Sequence, residues 1–214
     1  MVMSRMGLQT IYLRKVSEGL NRLKACESFL DSYQESKDIF ILEAAVLQIR
    51  KALECVAYAA IAPNKKEYAE FRARAAIQPD YTKDFHAGKI LKLLSKINPD
   101  FYPKPVSAPL SLEPGKWHFD KREDESLTKN KFKSFYDRLG KFLHADNPWG
   151  HEKGMKNLID EIPRVINSVR LLFSWHFTTI RTPEFNGVWV IEVPANGEQP
   201  RVIIGQAEGD FVVK

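Results

Sequence analysis

The residues best suited to chemistry lie in the segment YDRLGKFLHADNPWG, residues 136–150. Arg138, Lys141 and His144 fall there on the last turns of an amphipathic helical pattern that Pro148 stops. A guanidinium is permanently charged and binds phosphate oxygens through two parallel hydrogen bonds, whereas an imidazole gains or loses a proton near neutral pH. Such a pair can cleave RNA without a metal. His144 would exchange a proton with the ribose 2′-OH or the leaving 5′-oxygen, and Arg138 would stabilise the charge on phosphorus.

Arg138 and His144 point in different directions on an ideal helix, where six residues at 100° each place them about 240° apart. Unwinding of the helix before Pro148 would turn the imidazole, and the negative end of the helix favours its protonated form. A second copy of the helix across a two-fold axis would bring two Arg and two His together. The sequence therefore predicts a homodimer.

A structural role accounts for the same residues without catalysis. In this interpretation Arg138 pairs with Asp137, Glu54 or solvent, and His144 caps the last carbonyl groups of its helix. Glu54 also forms an i,i+4 pair with Arg50, a spacing typical of support on a helix surface. The sequence leaves the catalytic and the structural interpretations open.

A further alternative makes His144, Asp146 and His151 ligands of a metal ion around the Pro148-Trp149-Gly150 turn. The spacing of these three residues is irregular, and no other carboxylate–histidine cluster in the sequence supports them. The sequence also lacks the Gly-rich phosphate loop, the Gly-x-Ser-x-Gly elbow and the His-Glu-x-x-His motif. We therefore expect no metal and no cofactor.

The composition indicates a globular chain with material for one sizeable core or two small ones, since 44% of its 214 residues are hydrophobic. Lys and Arg outnumber Asp and Glu by 32 to 27, a modest excess compatible with an anionic partner or with an ordinary solvated surface. Cys26 and Cys55 lie within apolar helical patterns, so we expect packed thiols in a reducing compartment. No apolar run approaches the roughly 18 residues of a membrane span. These features predict a soluble, cytoplasmic protein without membrane contact.

Hydrophobic periodicity predicts a series of helices. The first runs from Leu8 to Tyr33, and the second follows an N-cap at Asp38 and is closed by Pro63. The second is apolar around most of its circumference and is therefore expected at the centre. The remaining predicted helices are a short one between residues 64 and 78, one capped by Thr82 or Asp84, one starting near Ser126 or Thr128, and a last one through residues 158–173 that contains Pro163.

Two segments depart from the helical pattern. Residues 98–116 hold five of the twelve prolines and are predicted to form an ordered strap over the core. The β-branched runs 188–193 and 201–204 flank the turn dipeptide Asn196-Gly197 and predict a hairpin. Residues 211–213 are a candidate third strand beside it.

The resulting fold prediction is all-α, an up-and-down bundle of four to five helices with a small β-hairpin at its C-terminus. The helical bundle, with its Pro-rich strap, is assigned to residues 1–180. The hairpin is assigned to residues 181–214.

The segment RLGKFLH resembles the Arg-x4–6-His pattern of the HEPN superfamily, helical-bundle proteins of which many are metal-independent endoribonucleases and toxins in bacterial defence or toxin–antitoxin systems. Residues 39–60 also resemble the second bundle helix of that superfamily, and the resemblance covers about residues 37–177. It implies Arg138 and His144 as catalytic residues, with Lys141 as a phosphate contact.

The resemblance further implies Glu54 as an orienting carboxylate from the second helix, with Asp137 beside the motif as a further binding or orienting residue. Its implied partners are RNA, a second copy of the chain, and an antitoxin or regulatory protein. One position departs from the pattern, because Leu139 follows the Arg where relatives that cut RNA usually have a polar residue. The alternative is therefore a catalytically silent, dimeric module that recruits a protein partner through the edge of its hairpin.

Overall fold

A computed structural model of the protein describes residues 5–114, 116–122, 125–145, 149, 155–183, 185–194 and 198–206. Its helices are α1 (Arg5–Ser36), α2 (Ile39–Ile61), α3 (Lys65–Ala73), α4 (Ala87–Ile97), α5 (Lys129–Phe142) and α6 (Met155–Phe173). Its strands are β1 (Lys104–Pro105), β2 (Leu110–Glu113), β3 (Lys116–His118), β4 (His176–Thr182), β5 (Phe185–Glu192) and β6 (Arg201–Gly205).

Helices α1 and α2 form an antiparallel hairpin and confirm the first two predicted helices. A sharp turn joins them, in which Lys37 adopts a positive φ of 56° and its N–H donates to the Tyr33 carbonyl over 2.8 Å. Asp38 then caps α2, as predicted, by accepting a hydrogen bond of 2.9 Å from the Phe40 N–H. Helix α2 is buried along most of its length and lies at the centre of the core.

The prediction that Thr82 or Asp84 caps α4 is wrong, because α4 begins at Ala87 and His86 is its N-cap. The Nδ1 atom of His86 accepts the Lys89 N–H at 3.3 Å. Asp84 has a different role. Its carboxylate accepts hydrogen bonds from the Tyr68 hydroxyl and from Nε of Arg72, and each donor lies 2.8 Å from the carboxylate oxygen. The carboxylate therefore ties α3 to the segment that leads into α4.

The all-α prediction is wrong, because the described residues contain a four-stranded antiparallel sheet in the order β1-β4-β5-β6 and a two-stranded sheet of β2 and β3. The predicted hairpin corresponds to β5 and β6, in which Val190 pairs with Ile203. Strand β4 was missed because its residues from His176 to Ile180 are all buried, so the alternation that marks a half-exposed strand is absent. The Pro-rich strap contributes β1, where Lys104 pairs with Phe177.

The sheet and the helices share one interior. Ile180, Trp189 and Ile191 from the sheet belong to the same buried cluster as the helices. The Tyr12 hydroxyl of α1 lies 2.9 Å from Nε2 of His176, whose Nδ1 lies 3.0 Å from the Ser174 carbonyl. Because that carbonyl only accepts, Nδ1 carries the proton and Nε2 accepts from the tyrosine. Burial holds the imidazole neutral by lowering its pKa from 6.5 to about 4.

Two buried amides form a second junction between helices and sheet. The amide nitrogen of Asn98 donates to Oδ1 of Asn64 at 2.9 Å and to the Thr179 carbonyl of β4 at 2.8 Å. Asn64 in turn donates to the Ala60 carbonyl at the end of α2 over 3.0 Å. One chain of hydrogen bonds therefore connects α2, the end of α4 and β4.

Strand β4 includes residues on both sides of position 180, and the division of the chain there stays a prediction. The turn at Asn196-Gly197 and the candidate strand at residues 211–213 lie outside the described residues. Within the part of the chain that is described, none of the helices combines the length and apolarity needed to cross a membrane.

Candidate active site on helix α5

Helix α5 positions the residues that the sequence singled out. Thr128 caps it by accepting the Lys131 N–H, which confirms one of the two predicted starts. The helix packs against α2 and α4 through one apolar face, formed by Phe132, Phe135, Tyr136, Leu139 and Phe142. Since that face fixes the rotation of the helix, Asp137, Arg138 and Lys141 are exposed to solvent.

Arg138 is held by the neighbouring helix α6. Its Nη2 donates to both carboxylate oxygens of Glu161, with 2.6 Å to Oε2, and its Nη1 donates to the Ser134 hydroxyl over 3.1 Å. The guanidinium carbon also lies 5.5 Å from the centre of the Phe135 ring. The carboxylate that pairs with Arg138 is therefore Glu161, and not Asp137 or Glu54 as the structural interpretation expected.

Lys141 and His144 lie at the C-terminal end of α5. Lys141 is exposed in the last turn, where a cation is favoured by the helix dipole. The helix ends at Phe142 with Leu143 as its C-cap, so His144 follows the cap and is exposed. The imidazole and the Arg138 guanidinium are thus both solvent-facing, one at the end of the helix and the other about one and a half turns before it.

Glu54 acts on α5 through Tyr136 and not through Arg138. Its Oε1 accepts the Tyr136 hydroxyl hydrogen bond at 3.0 Å and lies 3.7 Å from Nε of Arg50. Burial, with a smaller contribution from the Glu54 charge, raises the pKa of Tyr136 to about 12, so the phenol stays a donor. The predicted orienting carboxylate therefore holds the residue two positions before Arg138.

Arg50 completes this junction between α2 and α5. Its guanidinium lies 3.9 Å above the Tyr136 ring, and its Nη1 donates to the Tyr136 carbonyl over 3.0 Å. A Cβ at Gly140 would lie 2.6 Å from the same Nη1, so only glycine admits the guanidinium at this distance. Arg50, Glu54 and Gly140 together fix how α5 seats on the central helix.

The metal alternative falls largely outside the described residues, since Asp146 and His151 both lie there. In the described ranges no group of three or more His, Cys, Asp and Glu is arranged to hold a metal ion. The two cysteines are buried as predicted, and burial raises the pKa of Cys26 to about 12 and of Cys55 to about 11. Neither thiol is therefore activated as a nucleophile near neutral pH.

Sequence reasoning missed the contribution of α4 to this surface. Helix α4 carries Lys89, Lys92 and Lys96 and no acidic residue, and it packs beside α5. Helix α5 carries five basic residues and one acidic residue, namely Lys129, Lys131, Lys133, Arg138, Lys141 and Asp137. The basic character of α4 could be read from the sequence, because all of its charged residues are lysines. The packing of α4 against α5 could not be read from it.

A cleft of about 560 Å³ lies between α4 and α5. Its wall on the α4 side includes Leu91, Lys92 and Ser95, and its wall on the α5 side includes Lys129 and Lys133. Asp137 supplies a carboxylate to the lining, and Ser134, which accepts the Arg138 hydrogen bond, lines the cleft as well.

Comparison of the chain with protein-family models, curated proteins and solved structures gives no match.

Proposed function

We propose that the protein is a HEPN-like, metal-independent endoribonuclease that uses Arg138 and His144. The supporting observation is that Arg138 is exposed in the C-terminal half of α5 and His144 is exposed just beyond its C-cap, at the end of a helix with five basic residues and one acidic residue. Exposed cations attract the phosphate backbone, and an imidazole at the end of this helix lies where a backbone bound along it would pass. The resemblance to toxins and defence proteins supplies the biological setting of the proposal.

His144 carries the proton transfers in the proposed reaction. Its neutral imidazole takes the proton of a ribose 2′-OH, the 2′-oxygen bonds to phosphorus, and the bond to the 5′-oxygen breaks. The imidazolium formed in this way donates its proton to the leaving 5′-oxygen, which returns His144 to its neutral form, and the upstream product ends in a 2′,3′-cyclic phosphate. Arg138 stabilises the additional negative charge on the phosphoryl oxygens, and Lys141 contacts a neighbouring phosphate.

The proposed active form is a symmetric homodimer in which the α5 helices of two copies face each other. Arg138 and His144 are six positions apart, with Arg138 paired to α6 and His144 beyond the C-cap of α5, so we propose that a second copy completes the site. Trp149, just beyond α5, is 92% exposed, and a dimer through this end of the helix would bury its ring. Light scattering at micromolar concentration tests the dimer, and a monomer would contradict this part of the proposal.

Incubation of the purified protein with total RNA in EDTA tests the activity. We expect cleavage products that end in 2′,3′-cyclic phosphate or 3′-phosphate, no inhibition by EDTA, and loss of cleavage in His144→Ala. That variant should keep its stability within about 1 kcal/mol, because the residue is exposed beyond the helix cap. Cleavage that requires a divalent metal would contradict the proposal and favour the His144, Asp146 and His151 site.

A second candidate function is a binding module that adds a strand of a protein partner to its sheet. Strand β6 lies at one end of the strand order, and Ile203 and Ile204 on it are 40% and 54% exposed. Strand addition at such an edge uses main-chain hydrogen bonds and leaves the α5 residues uninvolved. Retention of partner capture in His144→Ala, together with an absence of RNA cleavage by the parent protein, would favour this function.

A further inference from the structure

We propose that the cleft between α4 and α5 is a binding subsite for the phosphate backbone of single-stranded RNA, next to the cleavage site. The inference rests on the proposed function, which identifies the polyanion as RNA. It adds helix α4 to the surface that holds the substrate. It also adds three lysines outside the Arg-x4–6-His pattern, namely Lys92, Lys129 and Lys133.

The two helices concentrate the positive charge of the chain. Together α4 and α5 hold eight of the 32 Lys and Arg and one of the 27 Asp and Glu. The rest of the chain then has 24 basic and 26 acidic residues, so the net charge of +5 arises from these helices alone. At physiological ionic strength the field of exposed charges decays over about 8 Å, so a polyanion is drawn to this face and not to the whole protein.

The lining of the cleft suits a phosphodiester chain. Lys92 on one wall and Lys129 and Lys133 on the other present cations from both sides, so a strand between the helices would be contacted along both edges. Ser95, Asn130 and Ser134 add neutral hydrogen-bonding groups. Asp137 is the one carboxylate of the lining, and it can accept hydrogen bonds from base amino groups. The volume of about 560 Å³ lies in the range of ligand clefts.

The cleft is continuous with the candidate active site. Ser134 lines the cleft and accepts the hydrogen bond from Nη1 of Arg138 at 3.1 Å. Lys133, Asp137 and Lys141 follow one another at intervals of four residues along α5, from the cleft toward His144. A strand seated between α4 and α5 therefore leaves the cleft beside the residues proposed to cut it.

The shape of this surface favours a strand over an anionic membrane. A helix that binds a membrane surface buries an apolar face in the headgroup region. The large apolar side chains that are exposed in the described residues include none on α4 or α5 themselves. A groove between two helices encloses a chain, whereas a bilayer presents a plane. We therefore assign the cleft to RNA and make vesicle binding an outcome of the test.

The test measures binding apart from cleavage by using His144→Ala protein and a fluorescein-labelled oligouridylate in an anisotropy titration at several salt concentrations. The cleft variant is Lys92→Gln/Lys129→Gln/Lys133→Gln. The control removes the same charge from exposed lysines outside the cleft, as Lys24→Gln/Lys83→Gln/Lys116→Gln. Circular dichroism and thermal unfolding establish that both proteins are folded.

We expect the cleft variant to bind RNA about tenfold or more weakly, and the slope of log K against log salt to fall by about 2, as loss of three phosphate contacts on a single strand predicts. The control should change affinity by less than about threefold. Equal losses in the two variants, absence of RNA binding by the parent protein, or binding to phosphatidylserine vesicles but not to RNA would each overturn the inference. Unchanged RNA affinity of the cleft variant in the His144→Ala background, together with cleavage of total RNA by the cleft variant that retains His144, would overturn the subsite and leave the proposed function standing. If the parent protein binds RNA but does not cleave total RNA in EDTA, that result would count against the proposed function and not against the subsite.

Discussion

Arg138 on α5 and Glu161 on α6 form an ion pair in which one guanidinium nitrogen, Nη2, donates to both carboxylate oxygens. The two side chains are 47% and 35% exposed, so solvent and salt reach the pair. An exposed pair of this kind contributes little to stability, about 0 to 1 kcal/mol. It does neutralise the cation proposed to bind phosphate, so a substrate must compete with Glu161 for the guanidinium.

Removal of that competitor should strengthen RNA binding. We expect Glu161→Gln to raise the affinity for a labelled oligoribonucleotide about threefold at low salt, with a smaller gain at high salt because the added field is screened. The free energy of unfolding should change by less than about 1 kcal/mol. Glu35→Gln, which makes the same charge change at an exposed position of α1, is the control. Weaker binding of Glu161→Gln would show that the carboxylate is needed to orient Arg138.

The guanidinium geometry of Arg138 should matter more than its charge. We expect Arg138→Lys to lower the rate of RNA cleavage about tenfold or more while RNA affinity changes less than about threefold, because an ammonium keeps the charge but cannot form two parallel hydrogen bonds to phosphate. Single-turnover cleavage and anisotropy titration measure the two quantities. Arg164→Lys, at an exposed position of α6, should be silent in both. An unchanged cleavage rate in Arg138→Lys would remove this residue from the proposed mechanism.

Gly140 and Arg50 should be coupled in stability. In the parent protein we expect Gly140→Ala to lower the free energy of unfolding by up to about 1 kcal/mol, because displacement of the Arg50 guanidinium from the Tyr136 carbonyl and ring costs about 1 to 2 kcal/mol, while the helix propensity of alanine returns about 1 kcal/mol. In an Arg50→Ala background the same change should stabilise by about 1 kcal/mol, the difference in helix propensity between the two residues. Urea unfolding of the parent, the two single variants and the double variant measures this double-mutant cycle. The same sign in both backgrounds would contradict the close approach of Arg50 to α5.

His176 should make the protein sensitive to mild acid. Its pKa is about 4 when folded and 6.5 ordinarily, so between these values the unfolded chain binds a proton that the folded protein does not. Stability is then fully present above pH 6.5 and is lost as the pH falls toward 4. From pH 6.5 to 4.5, where most carboxylates stay ionised, we expect a loss of roughly 2 to 3 kcal/mol.

Urea unfolding across this pH range measures the effect, and His176→Gln provides the control. Glutamine keeps a donor for the Ser174 carbonyl and an acceptor for the Tyr12 hydroxyl, but it does not titrate. Its stability should therefore vary much less over the same range, whatever its absolute value. Parallel curves for the two proteins would assign the acid sensitivity to other groups.

The helices could be predicted from the sequence because each signal was local. Asp38 and Thr128 cap α2 and α5 at predicted positions, since capping depends on residues within one turn. Strand β4 carried no such signal, because a strand buried on both faces shows no alternation. Strand β1, which the Pro-rich strap forms, could not be predicted either, because Lys104 and Pro105 pair with residues more than 70 positions later.

The same difference between local and long-range signals applies to the candidate site. The exposure of Arg138 and Lys141 follows from the apolar pattern of α5 and was predictable. The pairing of Arg138 with Glu161 was not, because the two residues are 23 positions apart on different helices. The basic cleft was missed for the same reason, since its lysines come from α4 and α5 and only the packing of these helices brings them together.

The hydrogen-bonded amides of Asn98 and Asn64 bear on how the protein melts. Separation of β4 from the helices would break the hydrogen bond from the Asn98 amide to the Thr179 carbonyl, at a cost of about 1 to 3 kcal/mol while these groups stay buried. Because Ile180, Trp189 and Ile191 also belong to the buried cluster of the helices, we expect the sheet and the helices to unfold together. The backbone amide hydrogens of β4 should exchange with deuterium as slowly as those of α2, and heat should unfold both in a single transition.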